Sequence, residues 1–163
     1  MKKYKSWKSL KKRLEGLLCE GLRGRVTYFL TRYHRVHNAY GRAAVLLDGR
    51  ELVRFSWTEM YRQEIDLSRL YTRTGEYDES CFKEKWDNDC TYSETDFLSA
   101  ALDFINMPIA EALKSENSVI RVLAVMDGRV GRRTLQNLDE GAFPEWARAF
   151  YRLRLEVENI GGQ

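Results

Sequence analysis

The chain has 163 residues, of which 44% are hydrophobic and 31% charged, with only 2 prolines and 11 glycines. That is the length and balance of one ordinary folded domain, and it excludes a disordered, collagen-like or low-complexity chain. The 27 Lys and Arg against 24 Asp and Glu leave a net charge of +3, too small to identify a partner.

Cys19, Cys81 and Cys90 are an odd number of cysteines, which argues against a secreted disulfide scaffold. The start Met1-Lys2-Lys3-Tyr4-Lys5 is basic, but Trp7-Lys8-Ser9-Leu10-Lys11-Lys12-Arg13 follows where a signal peptide needs a continuous apolar stretch. No segment approaches 18 apolar residues; the densest, Val119 to Met126, still contains Arg121. The expectation is a cytoplasmic protein with no membrane span.

Ser6 is placed to cap a first helix, with Trp7, Leu10, Leu14, Leu17 and Leu18 on one stripe and Lys8, Lys11, Lys12 and Arg13 opposite. Gly21 is placed to help stop it. A basic amphipathic helix either lies on a membrane or nucleic acid, or packs its leucines on a core and leaves its lysines in water. From Arg25 the character changes to strand: Val26 to Thr31, then Ala43 to Leu47, the hairpin signal Asp48-Gly49, and Leu52 to Phe55. His34 to Gly41 joins the first two strands. In the third strand Val53, Phe55 and Trp57 share one face and Leu52, Arg54 and Ser56 the other, which suits a sheet covered on one side.

The remainder reads as helical. Thr58 to about Tyr71 is one helix, with Tyr61, Ile65 and Leu67 inward. Residues 72–92 are polar and acidic, with a short helix around Phe82 to Trp86. Ser93-Glu94-Thr95-Asp96 is a capping-box start for Phe97, Leu98, Ala101, Leu102 and Ile105. Pro108 suits the first turn of a short helix through Ala112. Asn117 or Ser118 begins an apolar helix with Ile120, Leu123 and Met126, dense enough to be central. Pro144 opens a last helix with Trp146, Phe150, Leu153 and Val157 on one stripe, ending near Gly161-Gly162. The order predicts a single α+β domain over 1–163, with no linker: a three-stranded antiparallel meander near the N-terminus packed against a single layer of about five to six mostly C-terminal helices.

Motifs for specific chemistry are scarce. Gly128-Arg129-Val130-Gly131-Arg132-Arg133-Thr134 resembles a phosphate loop only superficially, because the glycine spacing is wrong and a helix precedes it. His34 and His37, the only histidines, would face opposite sides of a strand, and Cys81 and Cys90 lack metal-ligand spacing. No GxSxG elbow is present. Neither a metal, a cofactor nor a catalytic residue is assigned.

What remains is charge. Residues 1–50 carry +10, residues 51–118 carry −8 and residues 119–163 carry +1. Either the front binds a polyanion, or the two regions pack together and neutralise each other. Arg32, Tyr33, His34, Arg35, His37, Tyr40 and Arg42 interleave cations with rings, as a nucleic-acid edge requires. Arg32, His34, Arg35, Tyr40 and Arg42 are therefore candidate binding residues. Arg129, Arg132 and Arg133 join them, although an internal salt bridge from Asp127 and the dipole at a helix end would account for such arginines equally well.

Leu22-Arg23-Gly24-Arg25-Val26-Thr27-Tyr28, the run from Val119 through Leu135, and Trp146 to Glu156 resemble a family of small uncharacterised bacterial proteins. The resemblance covers most of the chain and is most specific in the arginine-rich run. It implies a bacterial cytosolic origin and no activity.

The expected function is non-catalytic binding of an anionic partner, nucleic acid or an acidic protein face, through the basic N-terminal surface. The alternative is an immunity or antitoxin protein covering a basic toxin site with its acidic 76–96 segment. A third reading is a metal-independent ribonuclease using His34, Arg35 and Glu64, with Glu59 as another nominal base.

Overall fold

A computed structural model describes residues 6–32, 41–56 and 92–161. His34, Arg35, His37, Tyr40, Trp57, Glu59, Glu64, Cys81, Cys90, the helix expected over Thr58 to Tyr71 and the acidic residues 76–91 lie outside the described residues.

The first helix, α1, spans Trp7–Leu17, and the Ser6 hydroxyl accepts the Ser9 amide at 3.3 Å. Leu10 and Leu14 are buried on its inner stripe while Lys8, Lys12 and Arg13 are exposed on the other, as the periodicity requires. Gly21 does not stop this helix. It sits in a 3₁₀ turn, Glu20–Leu22, where an added Cβ would lie 2.9 Å from the Val157 Cβ, so its role is close approach to the last helix.

The strands are β1 (Val26–Arg32), β2 (Gly41–Leu47) and β3 (Arg50–Ser56), paired antiparallel in that order. Asp48 and Gly49 both take positive φ, 50° and 81°, as the two central residues of a primed hairpin turn must. Arg25 braces the turn: its guanidinium forks onto the Asp48 carboxylate at 3.1 and 2.9 Å, and its carbonyl accepts the Asp48 amide. This ion pair holds Asp48 below the usual carboxylate range.

Val45 stands opposite Val53 but Leu46 stands opposite Glu51, so Leu52 is an extra residue on β3, a β-bulge. Val26, Tyr28, Ala43, Val45 and Phe55 are buried on the inner face.

Five helices follow: α2 (Glu94–Ile105), α3 (Ile109–Ala112), α4 (Ser118–Val125), α5 (Arg132–Gln136) and α6 (Glu145–Val157). The fold is thus α+β: among the described residues, a three-stranded antiparallel sheet near the N-terminus with six helices, mostly C-terminal. Ser93 and Asp96 form the capping box of α2, and Asn117 caps α4 by accepting the Val119 and Ile120 amides at 3.0 and 3.3 Å. Helix α4 is central, with seven of its eight residues buried. The sequence pattern predicts no helix at α5, which forms over Arg132–Gln136 beyond the end of α4.

The sheet joins the helices through Phe97 of α2. Its ring stacks on Phe55 at 5.0 Å and meets Trp7 and Tyr28 at 6.2 Å, linking α1, β1 and β3. At its N-terminus α2 also places Glu94, 3% exposed, against β2: the carboxylate accepts the Gly41 amide at 3.3 Å. An added Cβ on Gly41 would lie 2.4 Å from the Glu94 Cγ and 2.7 Å from the Thr31 carbonyl oxygen. Only glycine admits that approach. Among the described residues no helix is long and apolar enough to cross a membrane.

Candidate functional site

Two surfaces carry the front-third charge. On α1, Lys8, Lys12 and Arg13 are exposed without an ion-pair partner among the described residues, whereas Lys11 pairs with Glu15 at 3.7 Å. Farther along, Arg23 is turned back on the backbone, its Nε donating to the Leu18 carbonyl at 3.0 Å.

The second surface is the outer face of the sheet. The register puts Phe29, Ala44 and Arg54 in one cross-strand row and Thr31, Arg42 and Ser56 in the next. Arg42 forms an ion pair with Glu51 and lies over the Phe29 ring, its guanidinium carbon 5.2 Å from the centroid. Arg54 donates to the same Glu51 carboxylate, at 2.9 Å from Nη2 and 3.2 Å from Nε. One carboxylate therefore serves two guanidiniums, and the Arg42 Nε is buried with no acceptor. Among the described residues the exposed large apolar side chains are Phe29, on this face at 40%, and Leu52 at the bulge, at 41%. The face is not open throughout, since Ala44 and Ser56 are buried.

Of the candidate binding residues, Arg42 thus belongs to the sheet face. Arg32 ends β1 opposite Gly41, at the same end of the sheet. His34, Arg35 and Tyr40 lie outside the described residues. Arg129 lies in the turn after α4 and Arg132 and Arg133 open α5, far along the sequence from the sheet, and two of the three have internal partners. The Asp127 side chain is fully buried and accepts from Arg129 at its amide, Nε and Nη2, at 2.8 to 3.2 Å. That pairing raises the already high pKa of the guanidinium. Arg132 donates to the Glu158 carbonyl. Arg133 is exposed on α5.

Sequence reasoning missed Arg154, which organises this turn. It is 2% exposed, and its Nε, Nη1 and Nη2 all donate to internal partners. Nη1 donates to the carbonyls of Val125 at 3.0 Å and Asp127 at 2.7 Å, and Nη2 to the carbonyl of Val130 at 2.8 Å. Nε and Nη2 hold the Glu158 carboxylate at 3.0 and 2.9 Å. A cation thus stands at the negative end of the α4 dipole, where it takes the last carbonyl of the helix, Val125, and two carbonyls of the turn beyond it. Its signal was a charge four residues after Phe150 on an otherwise apolar stripe. Beside it, Cys19, Glu20, Gly21, Gly128, Arg154, Val157 and Glu158 line a shallow cleft of about 470 Å³. The Arg154 guanidinium that lines this cleft is committed to internal partners. Among the described residues no group of three or more His, Cys, Asp or Glu side chains comes together that could hold a metal ion.

Glu51 was missed for a different reason. Strict alternation along β3 sends Glu51 to the face opposite Arg54; the bulge at Leu52 returns it to the same face. Within the described part of the acidic segment, Glu94 and Asp96 have internal partners, at Gly41 and Ser93.

No curated protein and no solved structure matches the chain. A model of the SF0329 protein family matches residues 6–155, nearly the whole of it. The chain belongs to the SF0329 protein family.

Proposed function

We propose that the protein is a non-catalytic, cytoplasmic binding protein that engages an anionic partner through the basic surface of its first 50 residues. The observation that carries this reading is the outer face of α1. Three cations, Lys8, Lys12 and Arg13, stand in solvent on a helix whose leucines are committed to the core, which leaves that face available only for polar contacts. The burial of Leu10 and Leu14 also removes the apolar face that insertion into a membrane surface would need.

The test is the salt dependence of binding to a polyanion such as heparin or an oligonucleotide. Each released counterion contributes a slope of about 0.7–0.9 in log affinity against log salt. Lys8→Glu, Lys12→Glu and Arg13→Glu combined should lower that slope by about 2–3 and weaken binding at low salt. Equal affinity at about 50 and about 200 mM salt, or a triple variant that binds like the wild type, overturns the reading.

A further inference from the structure

We propose that the outer face of α1 seats one phosphate strand of duplex DNA. This deepens the anionic-partner reading and rests on it. Helical periodicity puts Ser9, Lys12 and Gly16 along the middle of that face, with Lys8 on one flank and Arg13 on the other, and all five are exposed. Ser9 and Gly16 stand about 10 Å apart along the helix at ~1.5 Å per residue. An added Cβ on Gly16 would meet nothing within 4 Å, so the surface is open there. At the C-terminal end of the helix Arg23, itself exposed, takes up the row. Its Nε and Nη2 donate to the Leu18 and Gly16 carbonyls at 3.0 and 3.4 Å, which fixes the guanidinium without neutralising it. Lys8, Lys12, Arg13 and Arg23 thus face solvent with no carboxylate partner among the described residues.

Charge complementarity selects the occupant. One strand of a duplex presents a phosphate about every 3.4 Å of axis, so about three pass over the stretch from Ser9 to Gly16. The cations of Lys8, Lys12, Arg13 and Arg23 stand against them in nearly equal number. The first 14 residues of the chain hold seven Lys and Arg and no Asp or Glu, a run that suits a long polyanion better than a protein patch of a few carboxylates. Among the described residues this face carries no exposed ring, because Trp7 is turned inward onto Phe97 at 6.2 Å. An unpaired base therefore finds no stacking platform here, and the denser charge of a duplex decides. A B-form major groove about 12 Å wide leaves room for a helix beside the strand it contacts, whereas that of A-form RNA is deep and narrow.

The test compares four labelled probes by fluorescence anisotropy with the full chain: a short DNA duplex, the RNA duplex of the same sequence, one DNA strand alone, and a polyglutamate peptide. Wild type should bind the DNA duplex most tightly. Gly16→Lys adds a cation in the open part of the row. It should tighten duplex binding by roughly 3- to 15-fold at about 50 mM salt and steepen the salt slope by about 0.9. Gly16→Glu should shift both by similar amounts in the opposite direction. Opposite shifts from one position separate a surface effect from a loss of fold. Two Gly16 variants that bind the duplex alike, or equal or tighter wild-type binding of any other probe, overturn the proposal even while salt-dependent binding to heparin upholds the anionic reading. Failure to bind any of these probes or heparin at low salt overturns both.

Discussion

Removing Arg154 is the sharpest perturbation of this fold. Arg154→Met keeps the apolar stem of the side chain but leaves the carbonyls of Val125, Asp127 and Val130 without that donor and frees the Glu158 carboxylate. Each hydrogen bond to a charged group is worth about 1.5–3 kcal/mol, yet the carbonyls relax and admit water, so the terms do not add in full. Breaking a buried ionic network by deleting one partner costs about 3–5 kcal/mol, which is the expected loss here. For a chain of this size that lowers Tm by roughly 6–20 °C. Urea unfolding followed by tryptophan fluorescence and far-ultraviolet circular dichroism measures it. Arg152→Ala provides the control: its guanidinium is 67% exposed and pairs with Glu140, and its loss should cost no more than about 1 kcal/mol. Arg154→Lys keeps the charge without the planar fork and should fall between the two. A midpoint for Arg154→Met within about 1 kcal/mol of the wild type would refute the view that this residue holds the turn after α4.

Other expectations concern packing and protonation. Gly21→Ala must push a Cβ against Val157 and should destabilise by about 1–3 kcal/mol, whereas Gly16→Ala, in α1 with nothing within 4 Å, should stabilise by about 0.5–1 kcal/mol. Opposite signs in the two urea midpoints are the test. The Tyr28 phenol is pushed up chiefly by burial and further by the charges of Glu15 and Asp127, so the folded protein holds it neutral. Its contribution is complete below the unfolded phenol value near pH ~10 and falls by about 1.4 kcal/mol per pH unit above it. Tyr151 is raised in the same direction by burial, then by Glu140 and Asp139. Tyr28→Phe should therefore flatten the alkaline loss of stability measured between about pH 9 and 11; an unchanged profile would contradict it.

Local pattern determined much of this molecule. Ser6, the Ser93–Asp96 capping box, Asn117 and Pro144 marked helix starts because capping is chemistry within a few residues. Asp48-Gly49 marked the hairpin because few residues accept positive φ twice in succession. The apolar density of residues 119–126 identified the central helix because a fully apolar surface has no stable place but the core.

Tertiary structure decided the rest. Gly21 looked like a helix stop, but the approach of Val157, 136 residues later, is what requires a glycine there. The charges show the same division. Composition revealed an excess of cations in the front third, but whether a cation faces solvent or a carboxylate depends on which side chains arrive from elsewhere. The bulge at Leu52 brought Glu51 round to Arg42 and Arg54, and the buried Asp127 took Arg129, while Lys8, Lys12 and Arg13 met no counterpart among the described residues. Ion pairing acts over a few ångströms in space, and a one-residue shift in strand register can switch it from one face of the sheet to the other.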